Sequence, residues 1–218
     1  MELAVHQIHI HYETRGTGRP VLLLHGNGES GHIFEGLAEK LAETCRVIVP
    51  DSRCHGESSR TEKISYELMA DDMIALIRGL RLEKPTVYGF SDGGIVGLLM
   101  AVKEPDLLSR LLISGANRNP LGLKISCLAQ MAGSYLKDRD PLTGLMLTGP
   151  HIRRKDLEKI RIPVAVLAGE KDVVREPHTR NLAACISGSS LEIIPGEDHS
   201  SYVLDNEKLY RILRKYLG

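Results

Sequence analysis

Short apolar runs rich in β-branched residues recur along the chain, with segments of helical spacing between them. Residues 21–25 read V-L-L-L-H, 46–50 R-V-I-V-P, 86–90 T-V-Y-G-F, 111–114 L-L-I-S, 164–168 V-A-V-L-A and 191–194 L-E-I-I. Most of these runs are continuous rather than alternating, the pattern of central strands covered on both faces. The clearest helical pattern is the last. Leu209, Ile212, Leu213, Tyr216 and Leu217 fall on one face, and Asp205 is placed to cap it. Leu68, Met69, Met73, Ile74, Ile77 and Leu80 form a second stripe over 65–80, and a third helix is predicted over 93–104, ended by Pro105. Strands alternating with helices predict an α/β fold, a mostly parallel central sheet with helices on both faces.

Two segments break this rhythm. Val5, Ile8, Ile10 and Tyr12 suggest an antiparallel hairpin at the sheet edge, with its turn at Gly16-Thr17-Gly18. Residues 117–152 follow a strand yet carry helical, methionine-containing sequence, such as 121–136. They predict a short helical cap inserted into a core made of residues 1–116 and 153–218. A chain of 218 residues, 42% of them hydrophobic, can bury one sizeable core. No repeat, linker-like stretch or low-complexity tract divides it.

Chemistry concentrates in the loops that follow strands. Residues 89–94 read G-F-S-D-G-G, so Ser91 sits in a G-x-S-x-G pattern between a strand and a helix. A sharp strand-to-helix turn exposes such a serine, and only small neighbours leave room for it. The pattern alone is weak; its strand-then-helix context makes it specific. Residues 25–28 read H-G-N-G after the first apolar run. There the backbone N–H of Asn27 can join that of Asp92 as an oxyanion hole for acyl transfer. Asp172 follows one strand in G-E-K-D, and His199 follows another in G-E-D-H. Both loops leave the carboxyl ends of strands, the same sheet edge as Ser91. The chain order of nucleophile, acid and base, Ser91, Asp172, His199, is the order found in α/β-hydrolases. Asp198 rivals Asp172, but as the neighbour of His199 in sequence it is expected to point away from it.

Taken together, H-G-N-G at 25, D-S-R-C-H-G-E-S at 51, G-F-S-D-G-G at 89 and the two acidic loops resemble the α/β-hydrolase superfamily over essentially the full length. The S-D-G-G form is similar to the branch of biphenyl-hydrolase-like esterases and ring-cleavage-product hydrolases. The resemblance implies a serine hydrolase acting on a small-molecule ester through an acyl-enzyme, with no cofactor and no metal. It leaves carbon–carbon hydrolysis of ring-cleavage products as a second reading, and a triad-retaining small-molecule receptor as a third. A dehalogenase is not expected, since that chemistry wants an aspartate at 91. Two departures stand out: Cys54 occupies a position of the D-x-R turn where glycine is usual, and the cap is short. Met131 and Met146 in the cap are expected to line an apolar substrate wall. The Asp92 carboxylate is a candidate partner for a cationic group on the substrate.

The remaining features argue against other classes. Lys plus Arg and Asp plus Glu both number 28, a balance with no footprint for nucleic acid or an anionic membrane. No apolar stretch approaches the ~20 residues that span a bilayer. Residues 1–5 lack a basic segment followed by an apolar run, and the four cysteines are scattered. A cytoplasmic location with reduced thiols is therefore expected. The sequence specifies no oligomeric state. On a strand, His9 and His11 share a face opposite His6, so these three do not converge on a metal. His25 is expected to brace the oxyanion loop, and His55 and Cys54 to be structural.

Overall fold

The computed structural model describes residues 1–217. The strands are β1 (Glu2–Val5), β2 (Ile8–Arg15), β3 (Arg19–Leu24), β4 (Cys45–Pro50), β5 (Thr86–Phe90), β6 (Arg110–Ser114), β7 (Val164–Gly169) and β8 (Ser190–Ile194). The helices are α1 (Glu35–Leu41), α2 (Tyr66–Gly79), α3 (Asp92–Lys103), α4 (Ile125–Asp138), α5 (Pro141–Thr148), α6 (Arg154–Leu157), α7 (Glu176–Ala184), α8 (Ser201–Leu204) and α9 (Asn206–Leu217). The strands form one sheet in the order β1-β2-β4-β3-β5-β6-β7-β8. Pairing is antiparallel for β1 with β2 and for β2 with β4, and parallel from there on. This is the α/β architecture that the recurring runs predict.

The continuous apolar runs arise because both faces of the sheet are covered. Alternate strand residues enter two separate cores. Leu22, Leu24, Ile48, Val87, Leu111 and Ile113 pack with Met69 and Met73 of α2 and Leu98 of α3. Val21, Leu23, Val47, Tyr88 and Leu112 pack on the other side with Leu37 of α1 and Leu209 and Leu213 of α9. Caps fix the helix starts. Ser65 Oγ accepts the Leu68 N–H at the head of α2, and Asp205 Oδ1 accepts the Lys208 N–H at the head of α9.

The edge hairpin differs from the sequence expectation. β1 and β2 pair antiparallel, but they turn at His6 and Gln7, whose φ angles are 49° and 112°. A two-residue hairpin loop needs positive φ, which Asn-Gly or Asp-Gly normally supplies. His-Gln carries no such signal, so the glycines at 16 and 18 look like the turn. They lead instead from β2 into β3.

The turn after β4 is tied to α2 by a buried ion pair. Arg53 Nε and Nη2 donate to Asp72 Oδ2 and Oδ1 at 2.6 and 2.7 Å, a bidentate arrangement. Both side chains are buried. Cys54, next to Arg53, adopts φ 65°, the left-handed backbone that explains why glycine suits this position. Its thiol donates to the Thr61 carbonyl at 3.4 Å. Arg53→Met strands the Asp72 carboxylate in the core and is expected to destabilise the protein by about 3–5 kcal/mol in urea unfolding. Adding Asp72→Leu should recover most of that loss, because an apolar pair needs no partner. A loss under about 1 kcal/mol for Arg53→Met alone contradicts a buried, paired Asp72.

Candidate active site

The β5–α3 turn places Ser91 at the carboxyl edge of the sheet. Its backbone has φ 51° and ψ −115°, a conformation rare outside glycine. The chain can take this shape because the adjoining glycines allow close approach. A Cβ on Gly93 would lie 2.2 Å from the Leu24 carbonyl oxygen, and one on Gly89 would lie 2.3 Å from that of Gly93. Asp92 is the first residue of α3, so its N–H is one of the donors that a helix start leaves without an internal partner.

His199 and Asp172 arrive from the loops after β8 and β7. His199 Nδ1 lies 2.7 Å from Asp172 Oδ1, and His199 Nε2 lies 3.1 Å from Ser91 Oγ. Asp172 is buried, and its Oδ1 also accepts the Val174 N–H at 2.9 Å. With a neutral ring, Nδ1–H donates to the carboxylate and Nε2 is left to accept from the serine hydroxyl. The Phe90 ring packs against His199 with centroids 5.0 Å apart. Gly115, at φ 62°, closes the other side. A Cβ there would sit 2.6 Å from His199 Cε1. Asp198 turns away, its Oδ1 accepting the N–H groups of Ser200 and Ser201.

A cavity of about 360 Å³ opens on this array. Asn27, Asp92, Met131 and Met146, all singled out by sequence, line it. So do Glu29, Tyr66, Asn117 and Cys127, which sequence reasoning missed. The Asp92 carboxylate is buried, with Oδ1 accepting from the Tyr66 hydroxyl at 2.8 Å and Oδ2 from Asn27 Nδ2 at 2.9 Å. Burial pushes its pKa up, and does the same to Glu29. Asn27 Nδ2 also donates to the Leu142 carbonyl of α5, so one amide joins the β3 loop, the Ser91 elbow and the helical segment above. His25 lies beneath the loop: Nδ1–H donates to the Gly26 carbonyl at 2.8 Å and Nε2 accepts the Ser52 N–H at 3.0 Å. Tyr66 carried no motif, but its place just after the Ser65 cap fixes where its hydroxyl falls. Glu29 stood in plain view, three residues after Gly26.

His6 lies in the hairpin turn, away from any convergence with His9 and His11. Among the described residues no three His, Cys, Asp or Glu side chains are grouped to hold a metal ion. The four cysteines are unpaired, and no helix among the described residues is long and apolar enough to cross a membrane.

A hydroxyl, an imidazole and a carboxylate thus lie in line at the carboxyl edge of a parallel sheet, with the hydroxyl on a strand-to-helix elbow. The family model for the alpha/beta hydrolase fold matches residues 19–140, and the chain belongs to that family. Curated relatives include the human serine hydrolase BPHL, 25% identical over 99% of this chain and 85% of that one. Solved structures with the same fold include a thermophilic esterase from Thermogutta terrifontis, TM-score 0.80 and 24% identity over 96% of this chain and 93% of that one. Another is a meta-cleavage product hydrolase from Pseudomonas fluorescens, TM-score 0.82 and 19% identity over 99% and 96%. At these identities the structural likenesses speak to the fold alone.

Burial holds two histidines neutral. His25 is pushed down to about 4 by its buried position, and His178 to about 4 by burial together with the charges of Arg118 and Arg175. In the unfolded chain a histidine titrates near 6.5. The stability held by these neutral rings is therefore present above about pH 6.5 and drains away as pH falls toward about 4. Urea unfolding should give a stability that drops between pH 7 and pH 4.5, with a shallower drop in His178→Gln. Equal slopes for the parent and His178→Gln would contradict a neutral His178.

Proposed function

We propose that the protein is a serine hydrolase that cleaves small carboxylic esters through an acyl-enzyme. The observation that carries this reading is the continuous relay from Asp172 through His199 to Ser91, with hydrogen-bond distances of 2.7 and 3.1 Å. In the proposed cycle His199 Nε2 takes the proton of the Ser91 hydroxyl as Oγ attacks the ester carbonyl. The tetrahedral oxyanion is held by the N–H groups of Asn27 and Asp92. His199 then gives the proton to the leaving alcohol. Water activated by the same imidazole releases the acid and frees Ser91. Asp172 keeps the ring in the tautomer that accepts from serine and stabilises the imidazolium that forms.

Residues 117–152 act as the cap in this reading, with Met131 of α4 and Met146 of α5 forming an apolar wall for the acyl chain. The lining carries two carboxylates, Glu29 and Asp92, and neither lysine nor arginine. That balance disfavours a carboxylate-bearing ring-cleavage product, the substrate of the rival carbon–carbon hydrolysis, although the same triad can serve both reactions. It favours neutral esters and esters with a cationic group. Asp92 is placed for the latter, since each of its oxygens has one protein partner and a second lone pair remains.

Ser91→Ala should lower turnover on the order of 10⁶-fold while leaving the melting temperature near that of the parent. Asp172→Asn should lower it on the order of 10⁴-fold, and Asp198→Asn far less. Mass analysis after fluorophosphonate treatment should find one adduct, on Ser91. An adduct on Cys54, or an Asp198→Asn variant more damaged than Asp172→Asn, overturns the assignment.

A 360 Å³ cavity also limits substrate size. Each methylene that stays buried adds only about 0.8 kcal/mol, and a small site soon stops burying more. Acyl chains up to roughly six carbons should give the highest kcat/KM, with palmitoyl esters poor. An α-amino ester should outrun its uncharged analogue, and Asp92→Asn should erase that difference. Fastest turnover on palmitoyl esters refutes the size limit, and equal rates on charged and uncharged esters refute the role of the Asp92 carboxylate.

A further inference from the structure

The loop after β3 carries a closed set of hydrogen bonds that its glycine motif does not require. The Gly26 N–H donates to Glu29 Oε2 at 2.9 Å, and the Glu29 N–H donates back to the Gly26 carbonyl at 3.4 Å. His25 Nδ1–H donates to that same carbonyl at 2.8 Å. His25 Nε2 is occupied by the Ser52 N–H, which fixes Nδ1 as the protonated nitrogen of this neutral ring. Both peptide units that flank Gly26 are therefore held, one at its N–H and one at its carbonyl.

These anchors also orient the next donor along the chain. In a trans peptide the carbonyl and the following N–H point in opposite directions. Anchoring the Gly26 carbonyl toward buried His25 aims the Asn27 N–H the other way, toward the cavity that Gly26, Asn27 and Ser91 line. Gly26 itself is clasped between the carboxylate and the elbow. A Cβ on it would lie 2.8 Å from Glu29 Oε2 and 3.2 Å from Ser91 Cβ.

We propose that Glu29 is a positioning residue of the oxyanion hole, its carboxylate locking the Gly26 backbone so that the Asn27 N–H meets the developing oxyanion on Ser91. The inference rests on the reading of Ser91 as nucleophile. The working feature is the acceptor oxygen rather than the charge. A glutamate three residues on that reaches back to a backbone N–H is half of a capping box, where glutamine serves as well. Charge alone would oppose the oxyanion, and the site is already acidic. Asp92 of α3 shares the cavity with Glu29, Tyr88 of β5 lies within its field, and His199 is the one group there that can turn positive. Burial accordingly raises the Glu29 pKa.

The test compares the parent with Glu29→Gln and Glu29→Ala. The readouts are the rate of Ser91 phosphonylation by a fluorophosphonate, kcat and KM for a short-chain p-nitrophenyl ester, and the NMR shift of the Gly26 amide proton. Loss of a whole oxyanion donor lowers rate roughly 10²–10³-fold, so a misaimed one in Glu29→Ala should lower kcat and phosphonylation about 10- to 100-fold. KM should change by less than about threefold, because the interaction belongs to the transition state. Glu29→Gln should recover most of the rate and keep the Gly26 shift, which moves in Glu29→Ala. If Glu29→Ala does not fold, Glu29→Asp takes its place. One methylene shorter, it falls out of reach of Gly26 and should be slow. A parent that is not phosphonylated sinks the hydrolase reading and this inference together. A phosphonylated parent matched in rate by Glu29→Ala or Glu29→Asp overturns this inference alone, as does a Glu29→Gln variant as slow as Glu29→Ala.

Discussion

The left-handed backbone of Ser91 is held in place by the packing of the β5–α3 turn against the end of β3. Such a conformation costs of the order of 1–3 kcal/mol and persists only where its surroundings enforce it. Here the enforcement is contact at backbone distance: Gly93 lies against the Leu24 carbonyl and Gly89 against Gly93. The Ser91 N–H also donates to the Ser114 carbonyl on β6 at 2.7 Å, tying the elbow to the next strand. β3, β5 and β6 are neighbours in the parallel part of the sheet, so the sheet itself stores the strain. β7 and β8, which complete that parallel set, deliver Asp172 and His199 to the same edge. A slip in the parallel register would separate the three side chains.

A second layer of constraint lies in the loops beyond the strand ends. His25, Glu29 and Asn27 each hold a different part of one short segment. His25 reaches the turn after β4 through Ser52, Glu29 closes the loop on itself, and Asn27 links Asp92 to Leu142 in α5. Arg53 and Asp72 then pin the turn after β4 to α2, whose first residue is Tyr66. The Tyr66 hydroxyl returns to Asp92. This circuit of buried and half-buried hydrogen bonds surrounds the proposed oxyanion donors without including the relay of Ser91, His199 and Asp172. The loop's anchors and the relay are thus separate sets of residues.

The sheet was legible in the sequence because its inner parallel strands, β3 to β7, are buried on both faces. Continuous apolar runs as short as 86–90 or 164–168, bounded by polar and turn residues, suit a covered strand and little else. The proposed relay was legible for a related reason. Its members follow strands directly, so reading the strands placed Ser91, Asp172 and His199 on one edge. What escaped had no periodic or compositional mark. The hairpin turn uses His6 and Gln7 in a backbone that normally selects glycine or asparagine. Tyr66 reaches the cavity through an offset of helix start and sheet edge that no spacing encodes. Glu29 lies outside the H-G-N-G pattern, which ends at Gly28, and its bond to Gly26 depends on how that turn closes. The H-G-N-G pattern points to the backbone N–H of Asn27, while its side chain is the link between loop and helical segment.

The helical segment over the cavity follows different physics from the core beneath it. No residue of α4 is buried, and Ile125 and Leu136 at its two ends are largely exposed. A helix with so little burial draws its position from few contacts, and segments of that kind open at lower free energy than the body of the domain. Its inward face nevertheless supplies Cys127 and Met131, flexible and polarisable side chains, to the cavity. α5 is fixed more firmly, by Asp140 capping its first turn, by Leu145 in the core and by the Asn27 amide on the Leu142 carbonyl. Tyr66 and Gly149 line both this cavity and a neighbouring one of about 340 Å³, so the side of the site toward α2 and the end of α5 is a wall shared by two cavities. The cavity is therefore bounded by a firmly held α5 on one side and a loosely held α4 on the other.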